Sequence, residues 1–204
     1  MHISIGRRTR LTALGAGLIS AAAIAFSAAG SAAADTADTG GTAALSMPRA
    51  TVVGWAKSTV IVLPGSPASA GYANGAETFT MPVTGGTGEV SNFSGIVDLG
   101  GKLIVINTKG GHTVNITDLE LNFFTGALTG VLPGGTAHVA LGYLNGDLST
   151  STDPGPPATE TVSSTEVDMS AKLASMLNTA LSTTAFTKGA NMGAFTATFE
   201  VTIT

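Results

Sequence analysis

The sequence predicts an all-β fold: an antiparallel β-sandwich, or a flattened barrel, with one short C-terminal amphipathic helix. Three observations lead there. Short β-branched or alternating runs recur along the chain, glycine pairs and prolines punctuate them, and a single segment shows helical spacing. Charged residues are only 11% of the chain and glycines number 27, a composition suited to strands joined by tight turns.

The first 34 residues are expected to stand outside that fold. Arg7, Arg8 and Arg10 give a positive start, Leu11 to Ala29 is apolar without a charge, and Ala32, Ala33 and Ala34 supply small residues before Asp35. This is the pattern of an export signal cleaved after residue 34. The apolar run approaches the length of a membrane span, so a retained anchor is the alternative. The Ala-rich exit favours cleavage, and no stable span is expected afterwards. Residues 35–48, mostly Ala, Thr and Gly, read as a flexible leader. Residues 49–204 read as one all-β domain.

Within that domain Thr51 to Val53 and Ser58 to Leu63 form β-branched runs around Trp55, closed by Pro64, Gly65 and Pro67. Glu77 to Val83 alternates and stops at Gly85 and Gly86. Glu89 to Leu99 ends at Gly100 and Gly101. Lys102 to Thr108 is apolar enough for burial on both faces. Gly110 and Gly111 turn into His112 to Phe124, where a bulge at Thr117 and Asp118 would bring Val114, Ile116, Leu119, Leu121 and Phe123 onto one face. Ala127 to Leu132 and Thr136 to Leu148 are two further strands. Pro154 to Pro157 forbids a central strand, and Glu160 to Val167 resumes one. Asp168 or Ser170 then caps a helix carrying Leu173, Met176, Leu177, Ala180 and Leu181. From Ala194 to the end, Phe195, Ala197, Phe199, Val201 and Ile203 alternate with Thr and Glu, the pattern of a half-buried antiparallel strand.

Composition removes several classes of function. There is no cysteine, which excludes thiol nucleophiles, Cys-ligated zinc and iron–sulfur clusters. The chain carries −4 overall, and its first 34 residues hold basic groups and no acid, so the remainder is more acidic still. With no basic cluster, neither nucleic acid nor an anionic membrane surface is an expected partner. No G-x-S-x-G elbow occurs, and Gly85-Gly86-Thr87-Gly88 lacks the spacing and terminal Lys of a phosphate loop. An enzyme is not expected.

The remaining candidates are few. His112 opens a strand after a glycine turn, at the sheet rim, where it could meet a metal or haem iron; His138 lies within a strand. Their ordinary reading is as surface residues. Asp118 and Glu120, two apart, could serve as paired carboxylates of a hydrolase or as a solvated strand face, and the solvated face is preferred. Trp55, Tyr72 and Tyr143 are the only Trp and Tyr residues. Trp55 reads as a core anchor that could also line an apolar pocket, and Tyr72 as a phenol able to reach ferric haem. No metal site is expected.

Several stretches resemble the HtaA domain family, secreted or surface β-rich modules of actinobacteria associated with haem uptake. They are Trp55-Ala56-Lys57-Ser58-Thr59, Phe79-Thr80-Met81-Pro82 with Phe93-Ser94-Gly95, Val114 to Leu119, and Leu173 to Asn178 with Phe186, Gly189 and Phe195 to Phe199. The resemblance implies a secreted or cell-surface binding module for haem or another apolar ligand. It also exposes two departures. The family's tyrosine after the opening strand and its histidine after the Phe-Ser/Thr-Gly step have no counterpart here, because Ile96, Val97 and Asp98 follow Gly95. Tyr72 and His112 are the candidate substitutes, and Trp55, Tyr72 and His112 form the expected ligand-binding set. A structural or adhesive surface protein with no small-molecule ligand, using Thr-rich strand faces, is the alternative.

Overall fold

The computed structural model describes residues 36–73 and 75–202; the expected export signal lies outside them. The elements are β1 (Thr36–Pro48), α1 (Arg49–Lys57), β2 (Val60–Gly65), β3 (Ser69–Ala73), β4 (Ala76–Gly86), β5 (Ile96–Leu99), β6 (Lys102–Asn107), β7 (His112–Asn122), β8 (Ala127–Val131), β9 (His138–Asp153), β10 (Ala158–Met169), α2 (Ala171–Ala180) and β11 (Ala194–Thr202).

Eight strands close into an antiparallel barrel in the order β4-β1-β11-β10-β9-β8-β7-β5, with β5 returning to β4. The architecture is therefore a closed barrel rather than two stacked sheets. Alternation sets what points inward: Phe195, Ala197 and Phe199 of β11 and Phe79 and Met81 of β4 are almost fully buried. Side chains fill the interior, as expected for eight strands. A void of about 40 Å³ remains among Leu45, Phe79, Val105, Ile116, Leu177 and Phe186, too small for anything beyond a solvent-sized occupant.

Three expectations are corrected. Residues 36–48 are not a loose leader but β1, paired with β11 on one edge and β4 on the other. Ala43, Leu45 and Met47 are its buried face. Thr51 to Val53 are not a strand but the middle of α1, and Trp55 is that helix's buried residue. The tertiary setting overrides a β-branched local preference here. Finally, β6 buries one face, with Leu103, Val105 and Asn107 inward and Ile104 and Ile106 half-exposed. The strand expected over Glu89 to Leu99 is realised only as Ile96–Leu99, while two other expectations stand. Asp118 has φ 48° beside a register shift in the β7–β8 ladder, so the bulge moves the buried set from Val114 and Ile116 to Leu119 and Leu121. Ser170 caps α2, its Oγ accepting the Leu173 N–H at 2.9 Å.

The two barrel ends differ. At one, residues 87–95 fold over Phe123 and Phe199, with Phe93 edge-on to Phe123. The buried Glu160 carboxylate accepts the Val90 N–H at 2.7 Å and ties that loop down. At the other end α1 and α2 cover the opening, with Trp55 against Phe186 at 5.5 Å between ring centroids.

Because β1 bridges β4 and β11, Leu45→Ala should cost about 2–5 kcal/mol as a large-to-small change in a packed core. The exposed Thr42→Ala on the same strand should stay within about 0.5 kcal/mol. Urea unfolding of both variants tests this; equal, small losses would mean that β1 is dispensable.

Candidate functional site

The barrel wall splits at the helical end. Strands β5 and β6 run consecutively along one edge of β7, broken at Gly100 and Gly101. On their other edge β5 pairs with β4, whereas β6 pairs with β2. The lower part of β4 pairs instead with β3. Strands β2 and β3 therefore form two limbs of a fissure that meet where Gly65, Ala68 and Gly101 pack together. A Cβ at Gly101 would fall 2.6 Å from the Ala68 Cβ and 2.9 Å from the Gly65 carbonyl, and its φ is +101°. Only glycine fits that vertex.

Helix α1 sits beside the fissure and leaves a slot of about 160 Å³ lined by Met47, Val52, Trp55, Ala56, Val60 to Leu63 and Glu77. Four consecutive residues of β2 line it, so the strand presents its edge as well as its faces. Glu77 is the one charged lining residue. Around the opening Val53, Ile61 and Leu63 are exposed apolar side chains.

The structure places the three predicted site residues differently. Trp55 is buried in the slot wall. Tyr72 is 66% exposed and does not line the slot. Its Cα partner on β4 is Glu77, whose partner on β1 is Met47. Directly opposed antiparallel residues share a face, so Met47, Glu77 and Tyr72 form one row leading outward from the slot, about 10 Å across two strand spacings. His112 heads the opposite row. Its partner is Asn107, which pairs with Val60, and its ring lies over Gly110. Trp55 thus lines the slot, Tyr72 stands exposed outside it with Glu77 between Tyr72 and Met47, and His112 stands beyond the β2 limb.

Beside the slot, across the turn at Ser58 and Thr59, lies an open polar groove of about 530 Å³ lined by Ser58, Thr59, Asn107, Lys109, Asn178 and Ser182 to Thr184. Its floor is held by Asn107. That buried amide donates to the Leu181 carbonyl at 2.8 Å and accepts from the Thr59 hydroxyl at 2.9 Å and from the Lys109 and Gly110 N–H groups. Thr59 is a β-branched residue at φ 64°, a costly conformation that this network holds in place. The carboxylate candidates lie elsewhere, on the outer wall. Glu120 is bound to His138 Nδ1 at 2.9 Å and accepts the Thr129 hydroxyl. Asp118 takes the Thr117 hydroxyl at 3.2 Å, and neither lines the slot or the groove. Among the described residues no three His, Asp or Glu side chains gather to hold a metal.

Sequence reasoning missed the slot because it depends on which strand edges stay unpaired. The one available signal was the apolar run Val60 to Leu63 ending in Pro64, a residue tolerated in a sheet mainly at an edge.

A closed barrel with a split wall and two small helices defines an HtaA-like fold. The chain is similar to the C-terminal domain of HtaA from Corynebacterium glutamicum, at 14% identity and a TM-score of 0.57, covering 81% of this chain and 99% of that one. A second solved structure, the heme binding protein HtaB from Corynebacterium glutamicum, aligns at 12% identity and a TM-score of 0.48 over 82% of this chain and 96% of that one. No family model and no curated protein sequence matches the chain. The likeness is one of fold.

The Gly101 vertex fixes the angle between the two limbs. Gly101→Ala should destabilise the protein by about 2–4 kcal/mol, from a strained positive φ and an overpacked contact, whereas Gly111→Ala, with open space around it, should lose only the φ-related part. Thermal unfolding of the pair decides whether the vertex is as tight as described.

Proposed function

We propose that the protein is an exported, non-catalytic binding module that takes a flat apolar ligand of the haem class at the Trp55 slot. The observation that carries this reading is the slot itself. It is an apolar opening at the end of an otherwise filled barrel, with an aromatic wall, exposed Val53, Ile61 and Leu63 beside it, and a single phenol on the adjoining row. Pockets that enclose a drug-sized ligand run to about 300–1,000 Å³. At about 160 Å³ this slot fits one edge of a macrocycle and leaves the rest against the outer rim. Trp55, Val52 and Met47 would hold the apolar edge and exclude water. Tyr72 supplies that face with a phenol, the oxygen ligand known for haem iron. When bound, haem would supply the iron; the chain supplies position and an apolar surround. Export is supported by the basic start, uncharged apolar stretch and small-residue exit of residues 1–34.

A second reading, a structural or adhesive surface role, is favoured by the outer wall. Ser151, Thr161, Thr198 and Thr42 lie in one cross-strand row, and the Thr161 and Thr198 hydroxyls stand 2.9 Å apart. Such an uncharged hydroxyl face suits contact with neutral surface polymers.

An absorbance titration with haemin separates the two. A saturable Soret shift is expected for the protein and for His112→Ala, and is expected to vanish in Tyr72→Ala, whose exposed site should leave folding intact. No saturable shift in the unaltered protein would remove the haem-class reading and leave the adhesive one.

A further inference from the structure

Strand β2 is an edge. It pairs with β6 only, and its opposite edge forms one side of the slot. The direction of its backbone groups follows from one hydrogen bond. The Thr108 N–H donates to the Thr59 carbonyl at 2.8 Å, in register with the Val60–Asn107 ladder. In an antiparallel pair, bonded and non-bonded residues alternate. Ile61, Leu63 and Gly65 therefore bond to β6, while Val60, Val62 and Pro64 turn their main chains toward the slot. Pro64, which has no N–H to give, occupies an outward position as strand chemistry requires. Among the described residues, the outward groups of Val60 and Val62 have no protein partner. Strand β3 pairs with β4 alone, so the second limb also carries an unpaired edge.

We infer that this fissure accepts an extended peptide segment of a protein partner as an added strand along β2. The chemistry of the edge selects the occupant. Alternating N–H and C=O groups at strand spacing are matched by another main chain, and strand addition uses them for affinity while side-chain pockets give specificity. One face of the added strand would meet Trp55 and Met47, so apolar side chains are required there. The other would lie beside Ile61 and Leu63 in solvent. Glu77, the only charge lining the slot, favours a neutral segment or one with a single basic residue. A second folded copy of β2 is the poorer fit, because α1 lines the slot beside that edge through Val52, Trp55 and Ala56 and a whole domain is bulkier than a single extended segment. This inference does not depend on the haem-class reading, although the two ligands would share the slot.

The probe is an acetylated, amidated peptide of alternating valine and threonine, as long as β2, with one terminal lysine. Its control is the same peptide N-methylated at alternate residues, which cannot donate along one edge. With the unmethylated peptide, the Val60 and Val62 amides should become protected from hydrogen exchange while those of β9 stay unchanged. Affinity should fall roughly tenfold for each outward hydrogen bond removed, both with the methylated peptide and in Val62→Pro, which removes an outward N–H and spares the β6 ladder. Should Val62→Pro unfold, the methylated peptide still decides. Unaltered exchange at Val60 and Val62 with excess peptide, or equal binding of the methylated peptide, would overturn the proposal. Tyr72→Ala distinguishes the two readings: it should abolish the Soret shift and leave peptide protection intact. Haemin binding without peptide protection would sink strand addition alone, and peptide protection without a Soret shift would sink the haem-class reading alone.

Discussion

The convergence of chain segments at Gly100 and Gly101 is the constraint on which the helical end depends. Gly100 donates its N–H to the Pro82 carbonyl at 2.7 Å, and a Cβ there would press on Pro82 and Thr84. Gly101 meets Ala68 and Gly65. These contacts let β5 continue into β6 while their outer partner changes from β4 to β2. Below this point one wall becomes two limbs, leaving unpaired edges that an eight-stranded barrel otherwise abolishes. Such edges are an aggregation liability unless covered. Here α1 supplies the cover, and the incomplete fit between helix and edge is the slot. The bulge at Asp118 is the counterpart on β7, allowing its first half to serve β6 and its second half both β5 and β8.

Legibility in the sequence followed a physical divide. Elements whose burial is encoded locally could be read. In β11 every second residue from Phe195 to Val201 is inward, α2 carries its own cap at Ser170, and the phase change between Ile116 and Leu119 demanded a bulge. Elements that exist by virtue of their neighbours could not. The inward set of β1 includes only Ala43, Leu45 and Met47 among residues 40–48, too little hydrophobicity to signal a strand, yet two partner strands hold it. Helix α1 has β-branched residues at 51–53, Pro48 at its N-cap and no side-chain cap. Its stability comes from Trp55 packing on Phe186 rather than from propensity. Trp55 and Tyr72 stood out by scarcity. Their relation through Glu77 required the β1–β4–β3 register, which no local pattern specifies.

The same topology places the proposed site outside a full interior. The void beneath the helices, lined by Leu45, Phe79 and Phe186 among others, is about 40 Å³, too small for a ligand, so the proposed site lies in the wall. A wall site has a different chemistry from a lumen site. It offers one apolar face and one strand edge, and solvent reaches the remainder. A flat ligand satisfies the apolar face and leaves the Val60 and Val62 main chains to water; an extended peptide satisfies both, at the entropic cost of ordering its own chain. Which ligand prevails turns on the width of the fissure. That width is set at the vertex by Gly101 and at the open end by Trp55 against Phe186. Phe186 is held by Asn178, whose side chain both donates to and accepts from its backbone, and Asn107 of β6 donates to the Leu181 carbonyl, so α2 ties the open end to the β2–β6 limb.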